Sequence, residues 1–148
     1  MKRRAFLEIA AMGALLASGA TSAAPTVEVY KSPTCGCCGK WVEHLRINGF
    51  VASVVEVADV DAIRRKAGVP ARLTACHTAF VGGYIVEGHV PAADIRRLLA
   101  ERPSAAGLAV PAMPRAAPGM DMPNAEGYDV LLFQSDGTTR VFHAYTRT

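Results

Sequence analysis

Three of the chain's four cysteines fall within four residues, Cys35-Gly36-Cys37-Cys38, and the fourth is Cys76. Cys35 and Cys38 have the C-x-x-C spacing, which serves a redox dithiol or half a metal site. Cys37 adds a sulfur where a simple dithiol has none. Thiolate is the species that attacks disulfides and binds soft metals, so two chemistries are open: disulfide exchange, and capture of Cu(I), Zn or an iron–sulfur cluster. An exchanger needs one attacking and one resolving thiol, and extra neighbours invite trapped disulfides. A structural pair of bonds, Cys35–Cys38 with Cys37–Cys76, is a third use. A bond between adjacent Cys37 and Cys38 would be strained, because neighbouring Cβ vectors diverge.

The elements that must position these sulfurs are readable. Thr26 to Tyr30 is rich in β-branched residues and reads as a first strand. Lys31 to Thr34 is a loop into the cysteines, and a helix follows from about Cys37 to Asn48, with Trp41, Val42 and Leu45 as its apolar stripe. The start of a helix favours thiolate over thiol. Phe50 to Val57 reads as a second strand. Asp59 or Asp61 caps a helix over Ala62 to Ala67, which Gly68 and Pro70 close. Thr78 to Val81 and Tyr84 to Glu87 flank Gly82-Gly83 as a hairpin, and Pro91 opens a third helix to about Glu101. The predicted fold is α/β, a thioredoxin-like β-α-β-α-β-β-α core. In that order strand three runs antiparallel to strand one, so Cys76, just before strand three, meets the cysteines after strand one. The end of strand four brings His89 to the same sheet edge. Thioredoxins hold a cis-Pro before strand three, whereas this chain has Ala75-Cys76-His77 there.

Further donors follow from these places. His77 adjoins Cys76, although strand alternation would turn it to the opposite face. His89 shares the edge with Cys76. His44 lies off the Trp41–Leu45 stripe and is expected in solvent, and His143 is not selected. Pro103 to Glu126 is dominated by Pro, Ala, Gly and Met and reads as a long loop. Met113, Met120 and Met122 lie within it. Thioethers are soft ligands that cannot form disulfides, which shifts the weight towards Cu(I); filling gaps on the core is their other use. One thiolate can bridge two metals, so the cluster suits one or more Cu(I) ions. Zn held by three Cys and a His is the alternative metal. Tyr128 to Gln134 and Thr139 to Tyr145 form a second hairpin about Ser135-Asp136-Gly137. The organisation is a core over 25–102 and a C-terminal Pro/Met-rich loop and β-hairpin extension over 103–148, packed on it.

The 148 residues suffice for one domain. Lys2, Arg3 and Arg4 precede an apolar run from Phe6 to about Ala20 and then small residues, the pattern of a signal peptide over 1–23. The run is too short to span a membrane comfortably, so cleavage is expected, with no membrane span in the mature chain. Arg3-Arg4 followed by Phe6-Leu7 resembles a twin-arginine signal; the general secretion route is the other. The expected address is the periplasm, an oxidising compartment. Removing Lys2, Arg3, Arg4 and Glu8 from 16 basic and 13 acidic residues leaves 13 against 12. No basic stripe interleaved with aromatics is present, which excludes a nucleic-acid binder.

Lys31-Ser32-Pro33-Thr34-Cys35-Gly36-Cys37-Cys38-Gly39-Lys40-Trp41 resembles the signature of the CopG-type periplasmic metal-binding family, long catalogued as a domain of unknown function. Cys76-His77-Thr78, Gly88-His89-Val90-Pro91, Gly107-Leu108-Ala109-Val110-Pro111 and the Met113 to Met122 segment are similar to its later motifs. The resemblance covers nearly all of the mature chain. It implies a role in copper resistance, Cu(I) bound at Cys35, Cys37, Cys38 and Cys76, and copper ions as cargo, with other periplasmic copper proteins or efflux components as partners. Storage, transfer and a change of copper oxidation state are all compatible with it, so enzyme status stays open. The competing function is a thioredoxin-like thiol–disulfide oxidoreductase.

Overall fold

The computed structural model describes residues 23–146. The signal-peptide reading therefore lies, apart from Ala23, outside the described residues. Strand β1 (Thr26–Lys31) leads to helix α1 (Gly36–Ile47), β2 (Val51–Glu56), α2 (Val60–Ala67), a short 3-10 turn (Ala71–Leu73), β3 (His77–Val81), β4 (Tyr84–Glu87) and α3 (Ala92–Glu101). Up to this point the order is the β-α-β-α-β-β-α read from the sequence. Three further strands follow: β5 (Gly107–Ala109), β6 (Tyr128–Phe133) and β7 (Thr139–Tyr145).

All seven strands form one mixed sheet, in the order β2-β1-β3-β4-β5-β6-β7. β1 runs parallel to β2 and antiparallel to β3, with Lys31 opposite His77, and β3 pairs antiparallel with β4, with Thr78 opposite Glu87. Gly82 and Gly83 both have positive φ, 55° and 87°, which suits a two-residue hairpin turn.

The segment after α3 departs from the expected long loop. β5 pairs parallel with β4 and antiparallel with β6, so it joins the last hairpin to the sheet. Gly107 makes this possible: a Cβ there would lie 1.9 Å from the Ile85 carbonyl oxygen. The hairpin thus continues the same sheet. Beyond β5, Ala112 N donates to Thr74 O at 3.2 Å and ties the segment to the loop before Cys76.

The sheet buries both faces unequally. Val27, Val29, Tyr84 and Val86 pack with Trp41, Leu45, Ile95 and Leu98 in the main core. Ile85, between Tyr84 and Val86, packs instead with Val69, Leu73, Ala109 and Phe133. That alternation places the smaller core on the opposite face. Trp41 is fully buried and its indole Nε1 donates to Val90 O at 2.8 Å, which anchors α1 to the chain beside His89.

Candidate metal centre

The centre forms where β1 and β4 end and β3 begins. β1 ends at Lys31, and a turn closed by Cys35 N donating to Ser32 O at 3.1 Å delivers Cys35 to the N-cap of α1. Cys38, in the first turn of α1, is fully buried. Antiparallel pairing carries the start of β3, and Cys76 before it, to the end of β1. Gly88 N donates to His77 O at 3.1 Å, and a positive φ of 74° at Gly88 turns the chain so that His89 faces the same place.

The sulfurs of Cys35, Cys37, Cys38 and Cys76 all lie within 4.8 Å of one another. Cys35 and Cys38 are joined as a disulfide, and Cys37 and Cys76 are free thiols. Cys37 Sγ is 3.6 Å from Cys35 Sγ. A second group overlaps the first: donor atoms of Cys38, Cys76, His77 and His89 also lie within 4.8 Å of one another. His89 Nε2 is 3.0 Å and His77 Nδ1 is 3.4 Å from Cys76 Sγ. Cys38 and Cys76 belong to both groups.

His77 stands beside Cys76, against the expectation from strand alternation. The physical reason is that β3 begins at His77, so Cys76 precedes the strand and lies outside its pleat. The His77 ring lies against Trp41, tilted by 34° with centroids 4.2 Å apart, and its Nε2 is buried with no hydrogen-bond partner among the described residues. His44 is not solvated: it is half-buried, and its Nε2 accepts from Ala92 N at 3.0 Å. Pro91 is the N-cap of α3 and makes no side-chain cap, so the imidazole satisfies an amide that would otherwise lack a partner. His143 pairs with buried Asp94, Nδ1 to Oδ1 2.8 Å, together with the Tyr145 hydroxyl at 2.7 Å. The three thioethers divide: Met113 and Met122 are exposed, and the Met122 sulfur accepts from Arg115 Nε at 3.5 Å. Met120 is half-buried and follows Gly119, where an added Cβ would lie 3.1 Å from Cys37 O.

A buried ion pair, not foreseen from the sequence, holds Cys76 in place. Glu87 accepts from Arg64 Nε at 2.9 Å, Ala75 N at 2.7 Å and Thr78 Oγ1 at 2.6 Å. Arg64 Nη2 in turn donates to Ala75 O at 2.7 Å. Both polar backbone groups of the residue before Cys76 are thereby fixed. A Glu closing an apolar strand and an Arg inside an amphipathic helix were the only signals, and neither names its partner 23 residues away.

Burial disfavours the charged forms of Cys76, His77 and His89. It pushes the Cys76 thiol up to about 12, with the neighbouring Cys37 adding to the effect. Burial likewise lowers the imidazole of His89, and it pushes His77 down to about 3, helped by the charges of His89, Arg64 and Lys31. Unfolded His77 takes up a proton near its ordinary value, whereas the folded ring stays neutral until about 3. The unfolded state therefore binds more protons between those values, and stability falls as the pH drops through that window, by roughly 1.4 kcal/mol per pH unit. Chemical denaturation as a function of pH is expected to show this slope in the wild type and a flatter one in His77→Phe. Parallel pH profiles for the two proteins would remove His77 as its source.

Thiols, neutral imidazoles and one orphaned ring nitrogen form a donor set suited to a soft or borderline metal, Cu(I) or Zn. A solved structure of copper resistance protein CopG, form 1, superposes with a TM-score of 0.77 at 40% identity, over 82% of this chain and 97% of that one. This chain belongs to the CopG family. CopG form 2 gives a TM-score of 0.78 at 39% identity, over 82% of this chain and 98% of that one. The family model described as "Protein of unknown function, DUF411" matches residues 73–120, which contain Cys76, His77, His89, Met113 and Met120. Among curated proteins none matches the chain. Among the described residues no helix is long and apolar enough to cross a membrane.

Proposed function

We propose that this CopG-family protein binds Cu(I) in the periplasm and serves copper tolerance by storing the ion or passing it on. Cys35, Cys37, Cys38 and Cys76 are the thiolate ligands in this reading, and His89 and His77 the nitrogen ligands. The observation that carries it is the overlap of the two donor groups at Cys38 and Cys76, since overlapping sets suit more than one ion through shared thiolates. The soft donors favour Cu(I) over harder cations, and Zn is the second choice. The relatives solved as copper resistance proteins support the same metal. The periplasmic address rests on the export pattern of residues 1–23. Copper donors and acceptors there, or efflux components, are the fitting partners.

The Cys35–Cys38 disulfide favours a second reading, thiol–disulfide exchange. The two readings meet in one scheme. Reducing the disulfide takes two electrons and two protons from an external dithiol and opens all four sulfurs to metal; the reverse step withdraws two of them and would release the ion. Anaerobic Cu(I) titration of the reduced protein against a competing chelator, with a thiol count on the same sample, tests the proposal. At least one tightly held Cu(I) per chain is expected, with thiols protected in step. Zn retention without Cu(I) retention, or turnover of a protein disulfide unaffected by copper, would replace copper binding with one of the alternatives.

Replacing Met113, Met120 and Met122 together by Leu keeps apolar volume roughly constant and removes the thioethers. Stopped-flow transfer from a weak Cu(I) donor is expected to slow, with nearly unchanged stoichiometry, because thiolates dominate the final affinity. Most of the effect should fall on Met120, which is half-buried and follows Gly119, the residue packed against Cys37 O and His89. Identical transfer rates would reduce all three to packing.

A further inference from the structure

The turn that carries Pro118 and Gly119 bears directly on the donors. It is held by its own backbone: Ala117 N donates to Pro114 O and Met120 N to Ala117 O, both at 3.0 Å, and Met122 N to Arg115 O at 2.9 Å. Gly119 N donates to Asp121 Oδ2 at 2.9 Å. From this turn the Pro118 carbonyl oxygen reaches to 2.6 Å from His89 Nδ1. A carbonyl oxygen only accepts, so Nδ1 carries the proton. Nε2, 3.0 Å from Cys76 Sγ, then keeps its lone pair.

Gly119 lets the turn come this close. Its φ is +87°, and a Cβ on it would lie 2.8 Å from Trp41 N, 3.1 Å from Cys37 O and 3.2 Å from His89 Nδ1. Two of those atoms are backbone of α1 and cannot swing aside. Any side chain at this position must lift the turn away from His89.

We propose that Pro118 and Gly119 form a positioning strap that decides which nitrogen of His89 is offered to the metal. This rests on the copper-binding reading above and adds to it a residue pair that touches no metal. A ligating imidazole is oriented by what its other nitrogen donates to, and loss of that partner typically weakens metal binding about 10- to 100-fold. Here the partner is a main-chain carbonyl from the Met-bearing segment, brought in by a glycine. The strap thus couples the seating of that segment to the readiness of His89.

Nitrogen-15 NMR of the imidazoles in reduced, metal-free wild-type protein is the first test, and His89 is expected as the Nδ1–H tautomer with bare Nε2. Gly119→Ala is expected to lose that preference and to bind Cu(I) about 10- to 100-fold more weakly in chelator competition. Arg115→Gln, on the exposed side of the same turn, is expected to keep both wild-type properties. An Nε2–H tautomer in the wild type, or a Gly119→Ala protein with wild-type tautomer and affinity, would overturn the strap. Should Gly119→Ala not fold, the wild-type tautomer alone decides. A wild-type protein that takes up no Cu(I) overturns the copper reading instead, and the tautomer still reports whether the strap sets His89.

Discussion

Cys76→Ser is expected to lose tight Cu(I) binding while keeping its fold. Cys76 belongs to both donor groups, and it stands outside the Cys35–Cys38 disulfide, so the exchange leaves that bond undisturbed. Serine is close in size, but its hydroxyl is a hard and poor ligand for Cu(I). The loss should exceed the ~100-fold that removal of an orienting partner can cost, because a ligand itself is removed. Cys37→Ser takes one sulfur from one group only and should cost less. Chelator competition on reduced protein, with circular dichroism as the control for folding, gives the measurement. If both variants hold Cu(I) as tightly as the parent, the two donor groups do not act as a shared site.

Glu87→Ala is expected to be strongly destabilising, by about 3–5 kcal/mol. Glu87 is fully buried and Arg64 is 6% exposed. Truncation would leave the guanidinium without its buried carboxylate, and Ala75 N and the Thr78 hydroxyl without their acceptor. Replacing both charges, as Arg64→Met with Glu87→Leu, should recover much of the stability, since a buried ion pair is often no better than packed apolar groups. That double variant still lacks the clasp on Ala75, so its Cu(I) affinity should stay below wild type. Denaturant unfolding separates the two effects from chelator competition. A Glu87→Ala protein that unfolds with wild-type stability would show that the pair contributes little, and wild-type affinity in the double variant would show that the clasp does not place Cys76.

Local signals in the sequence determine much of this protein. The β-branched run at Thr26, the Trp41–Leu45 stripe, the Gly82-Gly83 turn and Pro91 each act within a few residues, so period and turn chemistry suffice to locate the first four strands and three helices. Their order then forces Cys76 and His89 to the sheet edge that holds Cys35, Cys37 and Cys38, because antiparallel neighbours exchange starts and ends. The C-x-x-C spacing likewise suggested the Cys35–Cys38 pairing that the structure contains. What tertiary structure alone decided depends on partners far apart in the chain. β5 is three residues long and has no periodic signal; it exists because Gly107 lets the chain lie against Ile85 and because Phe133 and Leu131 pair with it. His44 caps a helix 48 residues away, and Arg64 meets Glu87 across the α2–β4 interval. The strap is the clearest case: in sequence, Pro118-Gly119 is an ordinary turn dipeptide. Only the folded chain shows that its carbonyl reaches Nδ1 of His89 and that its missing Cβ is the space in which α1 and His89 stand.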